Sequence, residues 1–231
     1  MYGIINYSNN CYLNVILQIF INNSTCFKIL KNSNLLIFKN KNIIDPIKIL
    51  KLINTTFDTD EQHDAHEVLL FLIEKIPDIK DEIIGNITTK FKCTTCNDIR
   101  KSHEEFHNIN IYTECLIDSI HILLEREKHM LKCDKCLKNT ETIKKNRIKN
   151  FGNIIIFYNI IKVKLVISES VTYKDKKYRL TGIIKHYGNI KTGHYIYIDY
   201  INKILINDQN ISNINEITGD NIYLLIFSII V

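Results

Sequence analysis

The sequence predicts an α+β fold, because helical and strand patterns occupy different parts of the chain. Up to about residue 80, apolar residues recur at helical spacing. One such set is Leu13, Ile16, Leu17 and Phe20. The last third instead holds apolar runs with the alternation of half-buried strands, such as GHYIYIDYI and IYLLIFSIIV. Between these parts lies an insert with two CxxC pairs, so we expect helices first and an antiparallel sheet last.

Composition and charge describe a globular chain. Its 231 residues are 45% hydrophobic and 24% charged, which suffices for one core and argues against disorder. The net charge is +5, but the lysines are scattered among asparagines, so we expect a solvated surface and no nucleic-acid partner. No apolar run reaches the roughly 18 residues that span a bilayer. Seven cysteines, an odd number, without a signal-peptide pattern predict a reducing intracellular setting, cytoplasmic or nuclear, and we expect a monomer.

Cys11 stands directly before the first apolar helix pattern. At about 100° per residue, a helical wheel places it almost opposite the apolar stripe, so the thiol should point away from the helix's own core. We expect Asn9 or Asn10 to cap this helix. The free N–H groups of a first helical turn favour a thiolate there. These residues alone leave open whether Cys11 is a nucleophile or a structural thiol.

A thiol hydrolase also needs a base and a group that orients it. His194 follows Gly193 at the start of an alternating strand. Asn207 and Asp208 end the later run KILI, and an adjacent strand could bring either side chain back to His194. The chain order is then Cys, His, Asn or Asp, which is the order in papain-like proteases.

Three sequence boxes resemble those of the ubiquitin-specific proteases, a family of cysteine deubiquitinases, from Gly3 to about Phe227. The first resembles Gly-Leu-x-Asn-x-Gly-x-x-Cys-Tyr-x-Asn-x-x-Leu-Gln, with Ser8 in place of the second Gly. Its matching positions are Gly3, Ile4, Asn6, Cys11, Tyr12, Asn14, Leu17 and Gln18. The second resembles Gln-x-Asp-Ala-x-Glu-Phe-Leu, through Gln62, Asp64, Ala65, Glu67 and Leu69. The third resembles Tyr-x-Leu, His-x-Gly and Gly-His-Tyr, through Tyr178, Leu180, His186, Gly188, Gly193, His194 and Tyr195.

The resemblance implies a single papain-like domain over residues 1–231. It would consist of a helical thumb over about 1–82, β fingers over about 83–150 and an antiparallel β palm over about 151–231. Site roles follow from the matched positions. They are Cys11 as nucleophile, His194 as general base, Asn207 as the residue that orients it, Asp208 as its acidic neighbour and Asn6 as oxyanion donor.

The same resemblance implies a substrate. We expect hydrolysis of the isopeptide or peptide bond after the C-terminal glycine of ubiquitin, through an acyl-enzyme. Asp64 and Glu67 would bind ubiquitin's basic tail, and a ubiquitin-like modifier is an alternative substrate. The alternative function is a catalytically inactive ubiquitin-binding module of the same fold. A third interpretation is a zinc-dependent nucleic-acid binder, for which a weak cluster of basic residues lies near the second CxxC pair: Lys132, Lys135, Lys138, Lys144, Lys145, Arg147 and Lys149.

The two CxxC pairs are Cys93–Cys96 and Cys133–Cys136. Two such turns bring four sulfurs to one tetrahedral metal, and zinc suits this ligand set. We expect one structural Zn²⁺ per chain, held by knuckles at the tips of two β-hairpins, and no catalytic cofactor. A redox-active CxxC is the alternative. In the family that the sequence resembles, these pairs lie in the fingers that hold the body of ubiquitin.

Overall fold

The computed structural model describes residues 1–58, 60–189 and 192–230. Within these ranges it contains six helices and fifteen strands. The helices are α1 (Cys11–Ile21), α2 (Ser24–Asn32), α3 (Ile47–Ile53), α4 (Ala65–Lys75), α5 (Pro77–Ile83) and α6 (Leu116–Leu124). The first nine strands are β1 (Gly3–Ile4), β2 (Ile37–Phe38), β3 (Ile43–Asp45), β4 (Gly85–Cys93), β5 (Ile99–Phe106), β6 (Ile109–Asn110), β7 (Arg126–Lys132), β8 (Asn139–Asn150) and β9 (Ile154–Tyr158). The others are β10 (Ser170–Tyr173), β11 (Lys176–Tyr187), β12 (His194–Asp199), β13 (Ile204–Asn207), β14 (Asn210–Asn213) and β15 (Ile222–Ile229).

Helix α1 is the central helix of the fold. All of its residues are buried, because α2, α4 and strand β12 surround it. A helix that is apolar on nearly every side belongs inside a core. The prediction that Cys11 points away from the core is therefore wrong: its side chain is 2% exposed.

The predicted helix cap is also wrong. Asn10 is the residue before α1, but its side chain makes no capping hydrogen bond. Its Oδ1 instead accepts the backbone N–H of Tyr7 at 2.8 Å, within the preceding loop. Asn9 does not cap the helix either, since its Nδ2 donates to the carbonyl oxygen of Asp60 at 2.7 Å.

Eight strands form the large sheet. Their order is β14-β13-β12-β11-β15-β9-β6, and β10 pairs with the first part of β11. The pairs are antiparallel except for β6 with β9. The antiparallel sheet expected at the end of the chain is thus present. The apolar run after residue 153 predicts a longer strand than the structure contains, since β9 ends at Tyr158.

Four further strands form a separate sheet in the order β5-β4-β8-β7. It consists of two antiparallel hairpins, β4–β5 and β7–β8, joined through β4 and β8. Each CxxC pair lies at the turn of one hairpin. Helix α6 lies against β8, where Asn146 Nδ2 donates to the carbonyl oxygen of Leu123 at 2.9 Å.

A helix that spans a bilayer must be both long and apolar. Among the described residues, no single helix meets both requirements. Helices α1 and α2 meet them only as a pair, which is bent by 110°.

Candidate active site

Asn6 lies in the loop before α1, and its side-chain amide is fixed at both ends. Its Oδ1 accepts the backbone N–H of Asn10 at 3.2 Å, and its Nδ2 donates to Asp208 Oδ2 at 2.8 Å. A backbone N–H can only donate, so the orientation of the amide is determined by the network. An amide nitrogen carries two hydrogens, and Asp208 takes one of them. The other is available to a ligand.

Asp208 joins the large sheet to the N-terminal segment. Its backbone oxygen accepts the N–H of Ile4 at 2.9 Å, and its Oδ1 accepts from Asn14 Nδ2 at 2.7 Å. The residue occupies the tight turn between β13 and β14 with φ of 52°, a left-handed conformation that aspartate tolerates. The carboxylate therefore holds Asn6 and Asn14 at the same time.

Asn14, which lies in the first matched box, is a further member of this network. Asn14 is 2% exposed, and its Oδ1 accepts from Asn10 Nδ2 at 3.0 Å. The spacing of Asn6, Asn10 and Asn14 by four residues was a signal that could have identified this network. The abundance of asparagine throughout the chain obscured it.

His194 lies at the start of β12, between the thiol and the turn after β13. Its Nε2 lies 2.7 Å from Asn207 Oδ1, and because that oxygen can only accept, Nε2 carries the proton. The other ring nitrogen is then available to the thiol of Cys11. Hydrogen bonding with Cys11 is the largest influence on the ring and raises the pKa of His194 to about 9. Burial lowers this pKa, whereas the bond to Asn207 and the charge of Asp208 raise it.

The loop around Asn6 is also held from its outer side. Tyr7 donates its hydroxyl to Asp45 Oδ1 at 3.0 Å, and Lys39 forms an ion pair with Asp45 Oδ2 at 3.0 Å. Asp45 is buried and also accepts the N–H of Ile47. Ser8 lies outside the positive-φ region, so a serine in place of the expected glycine imposes no backbone strain here.

Asp64 and Glu67 lie at the start of α4 and differ in environment. Asp64 is the N-cap of this helix: its Oδ1 accepts the N–H groups of His66 and Glu67. The same oxygen accepts a short hydrogen bond from the hydroxyl of Tyr223. Glu67 is exposed. Asp64 therefore has a structural task, which its position in the second matched box did not indicate.

The four cysteines of the CxxC pairs converge at the tip of the four-stranded sheet. Their sulfurs lie within 4.8 Å of one another, with 4.0 Å between Cys93 and Cys136 and 3.6 Å between Cys96 and Cys133. Thr140 hydrogen-bonds Cys93 at 3.2 Å, and this bond is the main reason that the pKa of Cys93 falls to about 6. These side chains could hold a metal ion.

A cavity of about 650 Å³ separates the four-stranded sheet from α4 and the large sheet. His66 of α4 and Tyr158 of β9 line it and stack on each other, with ring centroids 4.2 Å apart. From the four-stranded sheet, its lining includes Ile87, Thr89, Phe91, Phe106, Lys144 and Asn146.

A thiol at the start of a central helix, an imidazole on an adjacent sheet and a carboxamide bound to that imidazole form the arrangement typical of papain-like cysteine hydrolases. Comparison with known families gives the finer class. Residues 2–227 match the family described as ubiquitin carboxyl-terminal hydrolase. The chain belongs to this family, which confirms the resemblance seen in the sequence.

Two curated relatives carry the family name. The chain is 25% identical over 220 residues to "Probable ubiquitin carboxyl-terminal hydrolase 9" of Schizosaccharomyces pombe, with 74% of this chain and 38% of the relative aligned. It is 28% identical over 234 residues to "Ubiquitin carboxyl-terminal hydrolase 9" of Saccharomyces cerevisiae, with 74% of this chain and 30% of the relative aligned. The chain thus spans well under half the length of these relatives.

Solved structures with the same fold include SAGA DUB modules of Ubp8, Sgf11, Sus1 and Sgf73. One is bound to monoubiquitin and matches all of this chain and 69% of the other, with a TM-score of 0.82 at 17% identity. Another is bound to ubiquitin aldehyde and matches all of this chain and 70% of the other, with a TM-score of 0.81 at 17% identity. These matches confirm the predicted fold, an α+β papain-like fold of the ubiquitin-specific protease type.

Proposed function

We propose that this chain is a thiol-dependent deubiquitinase that hydrolyses the bond after the C-terminal glycine of ubiquitin. The observation that carries the proposal is the position of His194, which hydrogen-bonds Asn207 on one side and interacts with Cys11 on the other. Family membership over residues 2–227 supports the same function.

The reaction begins when the Cys11 thiol gives its proton to the free ring nitrogen of His194 and the resulting thiolate attacks the carbonyl carbon of the last glycine. A C–S bond forms, and the carbonyl π electrons move to oxygen. His194 then gives the proton taken from Cys11 to the leaving amine as the C–N bond breaks, which leaves a thioester. Water attacks the thioester while His194 takes a proton from it, and the C–S bond then breaks, so that Cys11 leaves as the thiolate and ubiquitin departs with a free carboxylate. Asn207 keeps the imidazole in the required tautomer without adding a charge.

The tetrahedral intermediates carry a negative oxygen that needs hydrogen-bond donors. We assign this task to the free Nδ2 hydrogen of Asn6 and to the backbone N–H of Cys11. Cys11 is the first residue of α1, where backbone N–H groups have no partner inside the helix. Asp208 acts through Asn6, because it fixes the position of the amide that donates.

Ubiquitin recognition would use both sides of the cavity. We place the body of ubiquitin against the four-stranded sheet and its basic tail beside Asp64 and Glu67. Carboxylates bind basic side chains through charge-assisted hydrogen bonds. The Ubp8 module with the same fold is described as bound to monoubiquitin, which supports ubiquitin as the ligand. A ubiquitin-like modifier of similar tail chemistry would fit the same surfaces.

Zinc fits the cysteine cluster. Four thiolates at about 2.3 Å from a tetrahedral Zn²⁺ would lie about 3.8 Å apart, and the observed sulfur separations of 3.6 and 4.0 Å bracket that value. When bound, the metal would cross-link the tips of the two hairpins and take no part in hydrolysis. Four protein ligands close its coordination shell.

The domain layout and the cellular setting are part of the same proposal. The chain would be one catalytic domain with a thumb over about 1–82, fingers over about 83–150 and a palm over about 151–231. It would act as an intracellular monomer in the cytoplasm or nucleus.

A ubiquitin probe with a C-terminal electrophile tests this function. We expect covalent labelling of zinc-loaded protein, lost in Cys11→Ala and retained in the matched control Cys115→Ala, since Cys115 lies outside the site. If folded, zinc-loaded protein were not labelled, the proposed deubiquitinase activity would be refuted. Probe binding without a covalent product would instead identify the inactive ubiquitin-binding module of the alternative function.

A further inference from the structure

The face of the four-stranded sheet that lies opposite the cavity carries a row of four basic residues, one from each strand. Lys90 of β4 pairs directly with Lys101 of β5 on one side and with Lys145 of β8 on the other. Lys145 in turn pairs with Arg126 of β7. All four are exposed. Directly opposed residues share a face, with Cβ atoms about 5 Å apart, so four positive charges cross the sheet within about 15 Å.

Adjacent positions extend the charge beyond this row. Lys92 belongs to the next row towards the hairpin tips, and Arg147 belongs to the row on the other side. Glu141 shares the face with this row and forms an ion pair with Lys128 of β7. Glu105, at the other end of β5, forms an ion pair with Lys80 of α5 and lines the cavity. In the described part of the chain, none of the four residues in the central row forms an ion pair.

This row opposes stability. Like charges directly across a sheet destabilise it. Lysines on edge strands protect against aggregation, which is sufficient reason for Lys101 and Arg126. It is no reason for Lys90 and Lys145, because β4 and β8 are the two central strands. The unpaired charges of the central strands therefore indicate a ligand that neutralises them.

We propose that this basic face binds the phosphate backbone of duplex nucleic acid. The charges are distributed in two dimensions, across four strands and over rows about 6.7 Å apart. A duplex presents phosphates of both strands over such an area, whereas an extended acidic peptide could follow only one line of charges. The exposed apolar side chains that share this face are Ile99 and Met130. Neither is aromatic, so the face has no stacking platform of the kind that single strands use.

Binding on this face leaves the proposed ubiquitin site free. The cavity-lining residues Thr89, Phe91 and Lys144 alternate in sequence with the basic residues and point to the opposite face. The two ligands would therefore contact opposite sides of one sheet. The lysines are scattered along the sequence, which predicts no nucleic-acid partner, but strand register brings four basic residues together on one face.

Fluorescence anisotropy with a labelled 20-base-pair duplex of random sequence tests the proposal. Lys90→Gln/Lys145→Gln should bind roughly tenfold to a hundredfold more weakly than wild type at about 0.1 M salt. The slope of log affinity against log salt should fall in magnitude by about 2, because two phosphate contacts are lost. The matched control is Lys28→Gln/Lys31→Gln on α2, a helix that packs on α1 and α5 and whose lysines are exposed; it should bind like wild type.

Thermal melting of the same proteins separates binding from folding. Because the substitution removes repulsion, Lys90→Gln/Lys145→Gln should melt at or above the wild-type temperature, so weaker binding cannot be attributed to unfolding. Equal affinities and salt slopes for the two double variants would overturn the proposal. A competition assay gives a second outcome that would overturn it. If polyglutamate of equal charge bound more tightly than the duplex and displaced it, the partner would be an acidic polypeptide. The assay needs no ubiquitin, so its result is independent of the proposed hydrolysis.

Discussion

Asn207 Oδ1 lies 2.7 Å from His194 Nε2, whereas the adjacent Asp208 directs its carboxylate to Asn6 and Asn14. The two neighbouring residues thus serve different ends of the site. The first orients the base, and the second orients the oxyanion donor. The chain order alone left both residues as candidates for the histidine partner, and the turn between β13 and β14 separates them because it rotates the backbone between one residue and the next.

Asn207→Ala should lower kcat roughly 100-fold with little change in KM. Without the acceptor at 2.7 Å, the imidazole is free to rotate and to change tautomer, and loss of general acid–base catalysis is worth about this factor. Steady-state hydrolysis of ubiquitin with a C-terminal fluorogenic amide measures it. Asn207→Asp is the conservative control and should recover most of the rate, because a carboxylate accepts the same bond. An unchanged kcat in Asn207→Ala would show that another group orients His194.

Asn14→Ala and Asp208→Asn should act as one unit. Either change weakens the clamp on Asn6, so each should reduce kcat by about tenfold through loss of an aligned oxyanion donor. The double variant should be little worse than the single variants, which corresponds to a coupling energy of about 0.5–3 kcal/mol in a double-mutant cycle.

The control for this cycle is Asn22→Ala at the other end of α1, where Asn22 Nδ2 donates to Gln18. This variant should lose stability without a change in kcat. Additive effects of Asn14→Ala and Asp208→Asn would exclude the clamp.

His194 should titrate unusually high for a histidine. Its pKa of about 9 depends first on the hydrogen bond with Cys11, so Cys11→Ala should bring this pKa down towards the ordinary value of about 6.5. NMR titration of the imidazole in both proteins measures the change. Equal pKa values in the two proteins would contradict the Cys11–His194 interaction.

The same shift predicts how stability depends on pH. Because the folded-state pKa lies above the unfolded-state value, protonated His194 stabilises the fold fully below about pH 6.5. This contribution is lost as the pH rises through about 9. The free energy of unfolding of the wild type should therefore fall over this range, relative to Cys11→Ala, when urea unfolding is measured at successive pH values.

What the sequence could predict depends on whether the signal was local. The CxxC spacing and the helical periodicity at α1 and α4 are local, so the cysteine cluster and both helices were predictable. The burial of Cys11 was not, because a helical wheel does not show that α2, α4 and β12 surround α1 and bury all of its residues. The Asn14–Asp208 bond and the Lys90–Lys145 pair join residues far apart in sequence. Only tertiary folding and strand register create such contacts.

Zinc removal should destabilise the protein, because the two hairpins of the four-stranded sheet lose the cross-link at their tips. Freshly purified protein should contain about one Zn²⁺ per chain by elemental analysis, and Cys133→Ser should lose it. Metal binding contributes folding free energy, so a chelator should lower the melting temperature of the wild type. Cys115→Ser is the matched control, since Cys115 lies outside the cluster and should leave the metal content unchanged. Wild-type protein without metal would refute the four-cysteine site.

Asp64 combines a structural task with the proposed binding of ubiquitin's tail, and substitutions can separate the two. Asp64→Asn keeps the oxygen that accepts from His66, Glu67 and Tyr223, so it should change stability by less than about 0.5 kcal/mol. It removes the charge, and KM for the ubiquitin substrate should rise about tenfold, as expected for a charge-assisted hydrogen bond reduced to a neutral one.

Asp64→Ala should in addition cost about 1 kcal/mol of stability, because the helix loses its cap. Glu67 is exposed, so Glu67→Gln should raise KM without any loss of stability. The control is Asp78→Asn in the first turn of α5, an exposed acidic residue outside the proposed tail site. If Asp64→Asn and Glu67→Gln left KM at the wild-type value, the acidic residues of α4 would have a structural role alone, and the ubiquitin tail would have to bind elsewhere.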